Sequence, residues 1–124
     1  MLYLQTDEAL QEAYINLSEG RDNLLSSFSD YLLVLRNKET GGEFAQVLTV
    51  DTENEQWTKV LIDTTDITAT GDYIAFIYGQ NSPSNTNKND ASVVGLVKTL
   101  IVNLANSTIF VDRPTITIPP NVEI

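Results

Sequence analysis

Short apolar runs alternate with polar or glycine-containing breaks from Tyr31 to the end of the chain. The runs are rich in β-branched and aromatic residues, and this spacing is typical of an all-β sandwich or barrel. Residues 31–37 and 43–50 predict a hairpin, because a five-residue loop with two glycines joins them. Residues 56–63 alternate with period two, which places Thr58, Val60 and Ile62 on one face and Trp57, Lys59 and Leu61 on the other.

A very apolar stretch follows at residues 67–79, ITATGDYIAFIYG, which carries no charge after Asp72. It predicts a central strand that is covered on both faces. A polar loop over residues 80–90 comes next, and it is expected to be mobile and at the surface. Residues 91–103 are long enough for two strand segments, with a bulge or bend at Gly95.

The first thirty residues allow two interpretations. A helix over about residues 7–18 is consistent with a capping signal at Thr6 and Asp7 and with apolar residues at helical spacing. The alternative makes MLYLQ and EAYINLS two strands, with alternate apolar residues on one face. The β character of the remaining chain and the pair Tyr14-Ile15 favour the strands.

The start of the apolar stretch resembles a tyrosine corner. In immunoglobulin-like sandwiches, a tyrosine near the start of strand F sends its hydroxyl back to the upstream backbone. Gly71 and Tyr73 fit this position, with Ile67 as a buried anchor, although a tyrosine after a turn is often an ordinary strand residue. The sequence therefore predicts an immunoglobulin-like antiparallel β-sandwich of about 7–9 strands, with a possible short N-terminal helix. Residues 1–124 are expected to form a single domain.

Composition excludes several classes of partner and chemistry. The chain has 7 basic and 17 acidic residues, a net charge of -10, and neither cysteine nor histidine. Because the basic residues are few and scattered, nucleic acid and anionic membranes are not expected as partners. The N-terminal residues lack the basic and then apolar pattern of a signal peptide, so we expect a protein made in a cytoplasm.

No pattern in the sequence predicts catalysis, a metal or a cofactor. Without histidine, a serine nucleophile lacks its usual base, and Asp90 in the polar loop lacks the spacing of an EF-hand. Solvated loop charge is the ordinary explanation for the acidic candidates, which are Asp51, Glu53, Glu55, Asp63 and Asp66. Trp57 with Tyr78 or Tyr31 is compatible with a sugar-binding platform, but a buried core tryptophan is the commoner outcome. We therefore expect a protein that is not an enzyme.

The run TATGDYIAFIYGQNSPSNTNKNDASVVGLVKTLIVN, with YLLVLRN and EQWTKVLID before it, resembles a class of small bacteriophage virion proteins. The similar proteins combine a "G-x-Y-x-(aromatic)-x-(I/V)-Y" strand, a variable loop and a "VGLVETGxLxV"-like strand. The resemblance covers about residues 31–103, and the chain departs from it at Lys98, where the pattern has glutamate, and near Leu100, where it has glycine.

This resemblance implies a structural subunit without catalysis, such as a head decoration, a neck or tail adaptor, or a fibre-anchoring protein. Its partners would be other virion proteins and further copies of itself, and its location the virion, after synthesis in the host bacterial cytoplasm. The alternative function is an immunoglobulin-like module that binds a carbohydrate or a receptor, with residues 80–90 as its variable tip.

The two ends of the chain are candidates for contacts with neighbouring subunits. They are an N-terminal segment of about residues 1–28 and an extended C-terminal tail of about residues 107–124. Prolines in the tail confine it to a sheet edge or lead it out of the domain. It can dock on a neighbouring subunit or pair with its own sheet. The candidate interface residues are Ile109, Val111, Ile116, Ile118, Val122 and Ile124.

Overall fold

A computed structural model describes residues 1–22, 24, 27–53 and 57–105. Almost all of the regular structure in this part of the chain is β-strand. The elements in chain order are β1 (Leu2–Gln5), β2 (Gln11–Ile15), the helix α1 (Ser18–Asp22), β3 (Asp30–Asn37), β4 (Glu43–Glu53), β5 (Thr58–Ile62), β6 (Gly71–Gln80) and β7 (Val93–Ala105). The C-terminal tail and its six candidate interface residues lie outside the described residues.

The seven strands form one mixed sheet in the order β1-β7-β6-β3-β4-β5-β2. Strand β1 runs parallel to β7, and the other neighbouring pairs are antiparallel. The first half of β4 pairs with β3 and its second half with β5, with a register shift between Val50 and Thr52. The sheet is nearly barrel-shaped. The predicted all-β class is thus confirmed, whereas the immunoglobulin-like sandwich stays a prediction.

The hairpin between β3 and β4 is confirmed, and the side chain of Asn37 explains its turn. The Asn37 side-chain oxygen accepts hydrogen bonds from the backbone N–H groups of Glu39 and Thr40, at 2.8 and 3.1 Å. Gly41 has a φ of 75°, a left-handed conformation that favours glycine, and its N–H donates to the Asn37 carbonyl. Asparagine and glycine therefore fix the register of the hairpin.

The N-terminal segment forms two strands, so the alternative helix over residues 7–18 is wrong. Residues Gln11–Ile15 pair with β5, and Asp7 and Leu10 have positive φ values of 54° and 49°, which interrupt any helix. Alternate residues Ala13, Ile15 and Leu17 are buried, as the strand interpretation requires. The helix α1 is only five residues long. Within the described ranges, no helix has the length and apolarity needed to cross a membrane.

The core lies on the inner, concave face of the curled sheet. All seven strands contribute to it, with four side chains from β7 and three each from the central strands β3 and β6. The buried cluster on these two strands consists of Tyr31, Leu33, Leu35, Tyr73, Ala75 and Ile77. Strand β5 is confirmed as alternating, because Thr58, Val60 and Ile62 are buried. Period-two burial therefore describes β6 at the centre of the sheet and β5 near its edge, whereas residues 31–35 of β3 are all buried.

Two glycines make room for aromatic and aliphatic side chains from the segment after α1. Gly79 and Gly95 are register partners on β6 and β7. A Cβ atom on Gly79 would lie 2.6 Å from Cδ1 of Phe28, and one on Gly95 would lie 3.0 Å from Cδ2 of Leu24. The two side chains therefore fill the space that the missing Cβ atoms leave.

The polar loop between β6 and β7 is held by hydrogen bonds between side chains and backbone. The amide nitrogen of Gln80, whose side chain is buried, donates to the Asn85 carbonyl at 3.1 Å, and that of Asn85 donates to the Gln80 side-chain oxygen at 2.8 Å. The strand after the loop corrects the prediction of two segments. Val93–Ala105 is one continuous strand, because two register shifts opposite β6 absorb the irregularity without ending it.

Candidate interaction surface on the outer sheet face

The three predicted corner residues surround the start of β6. The Tyr73 hydroxyl donates to the carbonyl oxygen of Ala69, four residues upstream, at 2.9 Å. Tyr73 and Ile67 are buried, and Gly71 has a φ of 122°. A hydroxyl that bonds to the backbone stabilises the turn into the strand, and it offers no reactive group to a substrate. We therefore assign this cluster a structural role.

The acidic candidates do not converge. Carboxylate oxygens of Glu12 and Asp51 each lie 3.2 Å from Nζ of Lys59. The hydrogen bond to Glu12 is the largest cause of a raised pKa of Lys59, and the hydrogen bond to Asp51 is the next. The carboxylate of Asp63 instead accepts hydrogen bonds from the hydroxyl and backbone N–H of Thr65, which lower its pKa. The side chains of Glu53 and Glu55 are outside the described set. In the part of the chain that the structure covers, no three acidic residues are grouped to hold a metal ion.

Among the residues that the structure describes, two depressions lie on the sheet. One, of about 330 Å³, is lined by residues 37–39 of the hairpin and residues 70–72 before and within β6. The other, of about 380 Å³, lies between residues 29–31 and residues 47–50. Both are about half open to solvent, whereas a site for a small ligand encloses most of the ligand's surface. These depressions do not suggest a ligand.

The outer, convex face of the sheet carries an apolar surface across four strands. In the first cross-strand row, Leu32 on β3 faces Val47 on β4 and Tyr78 on β6, and Tyr78 faces Leu96 on β7. Directly opposed side chains of neighbouring strands lie on the same face and contact one another. This row is therefore apolar from one side of the four-strand surface to the other.

Two further rows continue this surface. In the second row, Val34 lies between Ala45 and Phe76, and Thr99 follows Phe76 on β7. The third row begins with the charged residues Glu43 and Arg36, and ends with Ile74 and Ile101. We call these three rows the outer apolar face. It is defined by Val47, Leu32, Tyr78, Leu96, Ala45, Val34, Phe76, Thr99, Ile74 and Ile101.

Burial across the outer apolar face is uneven. Leu32 and Val34 at its centre are 0% and 2% exposed, although neither belongs to the inner core cluster. Phe76 and Tyr78 are half-buried, and Leu96 is 47% exposed. The prediction that this central strand is covered on both faces is accordingly too strong, because the outward residues of β6 keep part of their surface accessible.

Trp57 does not behave as either sequence interpretation expects. It is 38% exposed immediately before β5, so the prediction of a buried core tryptophan is wrong. Tyr31 is buried on the inner face, and Tyr78 is on β6, which is separated from β5 by two strands. These three aromatic side chains therefore do not share one platform.

Sequence reasoning identified the strands of the outer apolar face but missed the surface itself. The available signal was YLLVL, residues 31–35, in which every residue is apolar and both faces of the strand must therefore be apolar. Comparison with protein-family models finds no match, and searches of curated proteins and of solved structures find none either.

Proposed function

We propose that the chain is a non-catalytic structural subunit of a bacteriophage virion, acting through protein–protein interfaces. A head decoration, a neck or tail adaptor and a fibre-anchoring protein are the roles that the sequence resemblance over residues 31–103 supports. Under this proposal the chain is made in the bacterial host and functions in the particle, next to other virion proteins and further copies of itself.

The outer apolar face is the observation that carries this proposal. Contiguous apolar patches on a protein surface mark interaction sites more often than single exposed hydrophobic residues do. Here Leu96, Phe76, Tyr78 and their neighbours form three adjacent rows on four hydrogen-bonded strands. A surface built on the centre of a sheet is rigid, and rigid aromatic and aliphatic groups are well suited to protein contacts.

We further propose that the sheet is a distorted immunoglobulin-like sandwich. In such sandwiches, strands G, F and C lie side by side in one sheet, and strands B, E and D in the other. Strands β7, β6 and β3 are adjacent in the first order, and β2, β5 and the second half of β4 in the second. Tyr73 on β6 and its hydrogen bond to Ala69 match the tyrosine corner of strand F.

The direct test asks where the protein is found. An antibody against the purified chain would be used to probe density-gradient fractions from a lysed culture of the phage-infected host. We expect the chain to sediment with the particles and to remain there after washing in high salt. Its recovery only from the soluble fractions would contradict a structural role in the virion.

The mass in solution separates the proposed function from its alternative. Light scattering would be applied to the full chain and to a variant that ends at Asn106. An oligomer that becomes monomeric on truncation supports assembly through the tail. A folded monomer in both cases removes self-assembly through the tail and favours the immunoglobulin-like carbohydrate- or receptor-binding module, while docking to another virion protein is judged by the gradient experiment.

A further inference from the structure

We propose that the outer apolar face is the docking site of the chain's own C-terminal segment, with Ile116 and Ile118 in contact with it. This inference goes beyond the proposed function and concerns the free chain. Because the segment then covers the face that the proposed function assigns to a neighbouring protein, assembly through that face requires the segment to leave it. Four observations carry it, namely the size of the face, the position of Ala105, the sequence of the segment and the charge of the chain.

The size of the face favours a peptide over a second folded copy. Four strands about 4.8 Å apart and three rows about 6.8 Å apart give a patch of roughly 400 Å². A stable interface between two proteins buries about 800 Å² on each partner. The outer apolar face alone is therefore too small for a self-sufficient dimer, but it is large enough for a short extended segment.

The chain leaves the described sheet at one corner of this face. Strand β7 is its boundary strand, and Ala105 follows Ile101 and Asn103 at alternate positions, so it belongs to the outward side. The third row is only four residues back along β7, or about 13 Å. The nineteen residues that follow Ala105 span up to about 63 Å when extended, which is enough to turn and cross every row.

The sequence of the segment matches the spacing of the rows. Thr115–Ile118 reads TITI, so Ile116 and Ile118 would point the same way in an extended chain, about 6.6 Å apart. This distance is close to the spacing between rows. Prolines at 114 and 119 bias the residues before them, Arg113 and Ile118, toward extended backbone. The segment is thus predisposed to present two isoleucines to adjacent rows.

Charge and connectivity favour the segment of the same chain over that of a neighbour. Two copies that each carry a net charge of -10 repel one another at low salt. A segment tethered to its site by the ten residues between Ala105 and Ile116 experiences an effective concentration on the order of millimolar, well above the working concentration of a second chain. Both terms act in the same direction, so docking within one chain is preferred.

Cysteine pairs in the full chain test this assignment, because the natural sequence contains no cysteine. The test pairs are Leu96→Cys with Ile118→Cys and Thr99→Cys with Ile116→Cys. The matched control is Leu61→Cys with Ile118→Cys, in which the leucine lies on the outward side of β5, four strand positions from Leu96 on β7. Each pair is oxidised mildly and analysed on non-reducing gels at two protein concentrations.

We expect at least one face pair to form a disulfide within one chain about tenfold faster than the control, at a rate that does not change on dilution. Equal rates for face and control pairs would overturn the proposal. Disulfides that join two chains, at a rate that falls on dilution, would also overturn it and would assign the face to a neighbouring copy.

A single-cysteine experiment keeps the proposal falsifiable if the pairs miss the required sulfur geometry. The modification rate of Leu96→Cys by a thiol reagent should rise about tenfold when Ile116 and Ile118 are both changed to serine. The rate at Leu61→Cys should stay unchanged in the same background. No increase at Leu96→Cys would contradict docking, and neither result alters the gradient test of the proposed function.

Discussion

The apolar residues on the two faces of strand β3 have different surroundings. On the inner face, Tyr31, Leu33 and Leu35 join the core cluster that the curled sheet encloses. On the outer face, Leu32 and Val34 are equally buried, but the surface around them extends to half-exposed residues such as Leu96. Apolar character alone therefore does not distinguish a core from an interaction surface. The enclosure of the inner face by the rest of the fold makes the difference.

The largest difference in stability is expected between variants in which one leucine on each face is truncated to alanine. Leu33→Ala should lower the free energy of unfolding by about 3 kcal/mol, because it leaves a cavity in the closed core. Leu96→Ala, at a site with 47% exposure, should lower it by only about 0.5 kcal/mol. Urea denaturation followed by circular dichroism measures both values. Similar losses for the two variants would show that the outer apolar face is as tightly packed as the core.

Local patterns in the sequence were sufficient for the strands and turns. The hairpin depends on Asn37 and Gly41, and the alternation of β5 depends on Thr58, Val60 and Ile62, all of which act over a few residues. The N-terminal strands were recognised for the same reason, since period two in residues 11–15 is a local property. Each individual strand could therefore be predicted from a short stretch of the sequence.

Relations between distant strands were not predictable in this way. The outer apolar face requires the registers of four strands, and no single stretch contains that information. The contact between Gln11 and Gln5, which joins the two edge strands, likewise depends on how far the sheet curls. The exposure of Trp57 was predicted wrongly, because it depends on which other segments of the protein pack beside the side chain. The residue type alone carries no such information.

Gly79 tests how tightly the inner face is packed, because a substitution at this position adds volume to it. Gly79→Ala would place a Cβ atom 2.6 Å from the ring of Phe28, and the overpacking should cost about 1–3 kcal/mol of unfolding free energy. Gly42→Ala is the control, since the nearest atom to its Cβ would be 3.4 Å away and the expected change is within about 0.5 kcal/mol. Thermal unfolding of both variants checks the prediction. A neutral Gly79→Ala would mean that Phe28 is free to move aside.

Closure of the sheet keeps the two faces distinct, and Gln11 contributes to it. Its side-chain oxygen accepts the Gln5 backbone N–H at 2.9 Å, and its side-chain nitrogen donates to the Gln5 carbonyl at 2.9 Å. The amide thereby pairs with a peptide unit of β1 as a neighbouring strand would. Gln46 makes the equivalent pair with Asp63 at 2.9 and 2.7 Å, in an exposed position.

Removing each glutamine in turn tests whether the hydrogen bonds that close the sheet stabilise the fold more than an equivalent pair at an exposed position. Gln11→Ala should cost about 1–2 kcal/mol and speed amide exchange at Gln5, because the Gln5 N–H loses its partner and the Gln5 carbonyl keeps only its bond from the Thr64 hydroxyl. Gln46→Ala should cost about 0.5 kcal/mol, since water replaces the lost bonds at an exposed site. Hydrogen exchange and urea denaturation provide the two readouts. Equal costs would indicate that the edge strands are held together by packing rather than by Gln11.

The smallest effect is expected in a loop that belongs to neither face, at Asp63. Hydrogen bonds from the Thr65 hydroxyl and backbone N–H hold the pKa of Asp63 below its ordinary value of 3.8. A carboxylate with a lowered pKa in the folded state stabilises it above the unfolded pKa, and the stabilisation disappears as the pH falls through the folded pKa. The melting temperature of the natural chain should therefore exceed that of Asp63→Asn near neutral pH, and the difference should shrink below about pH 4. Thr65→Ala, which leaves the backbone donor in place, should show a weaker form of the same pH dependence. A difference between the natural chain and Asp63→Asn that persists unchanged at acid pH would rule out the carboxylate charge as its source.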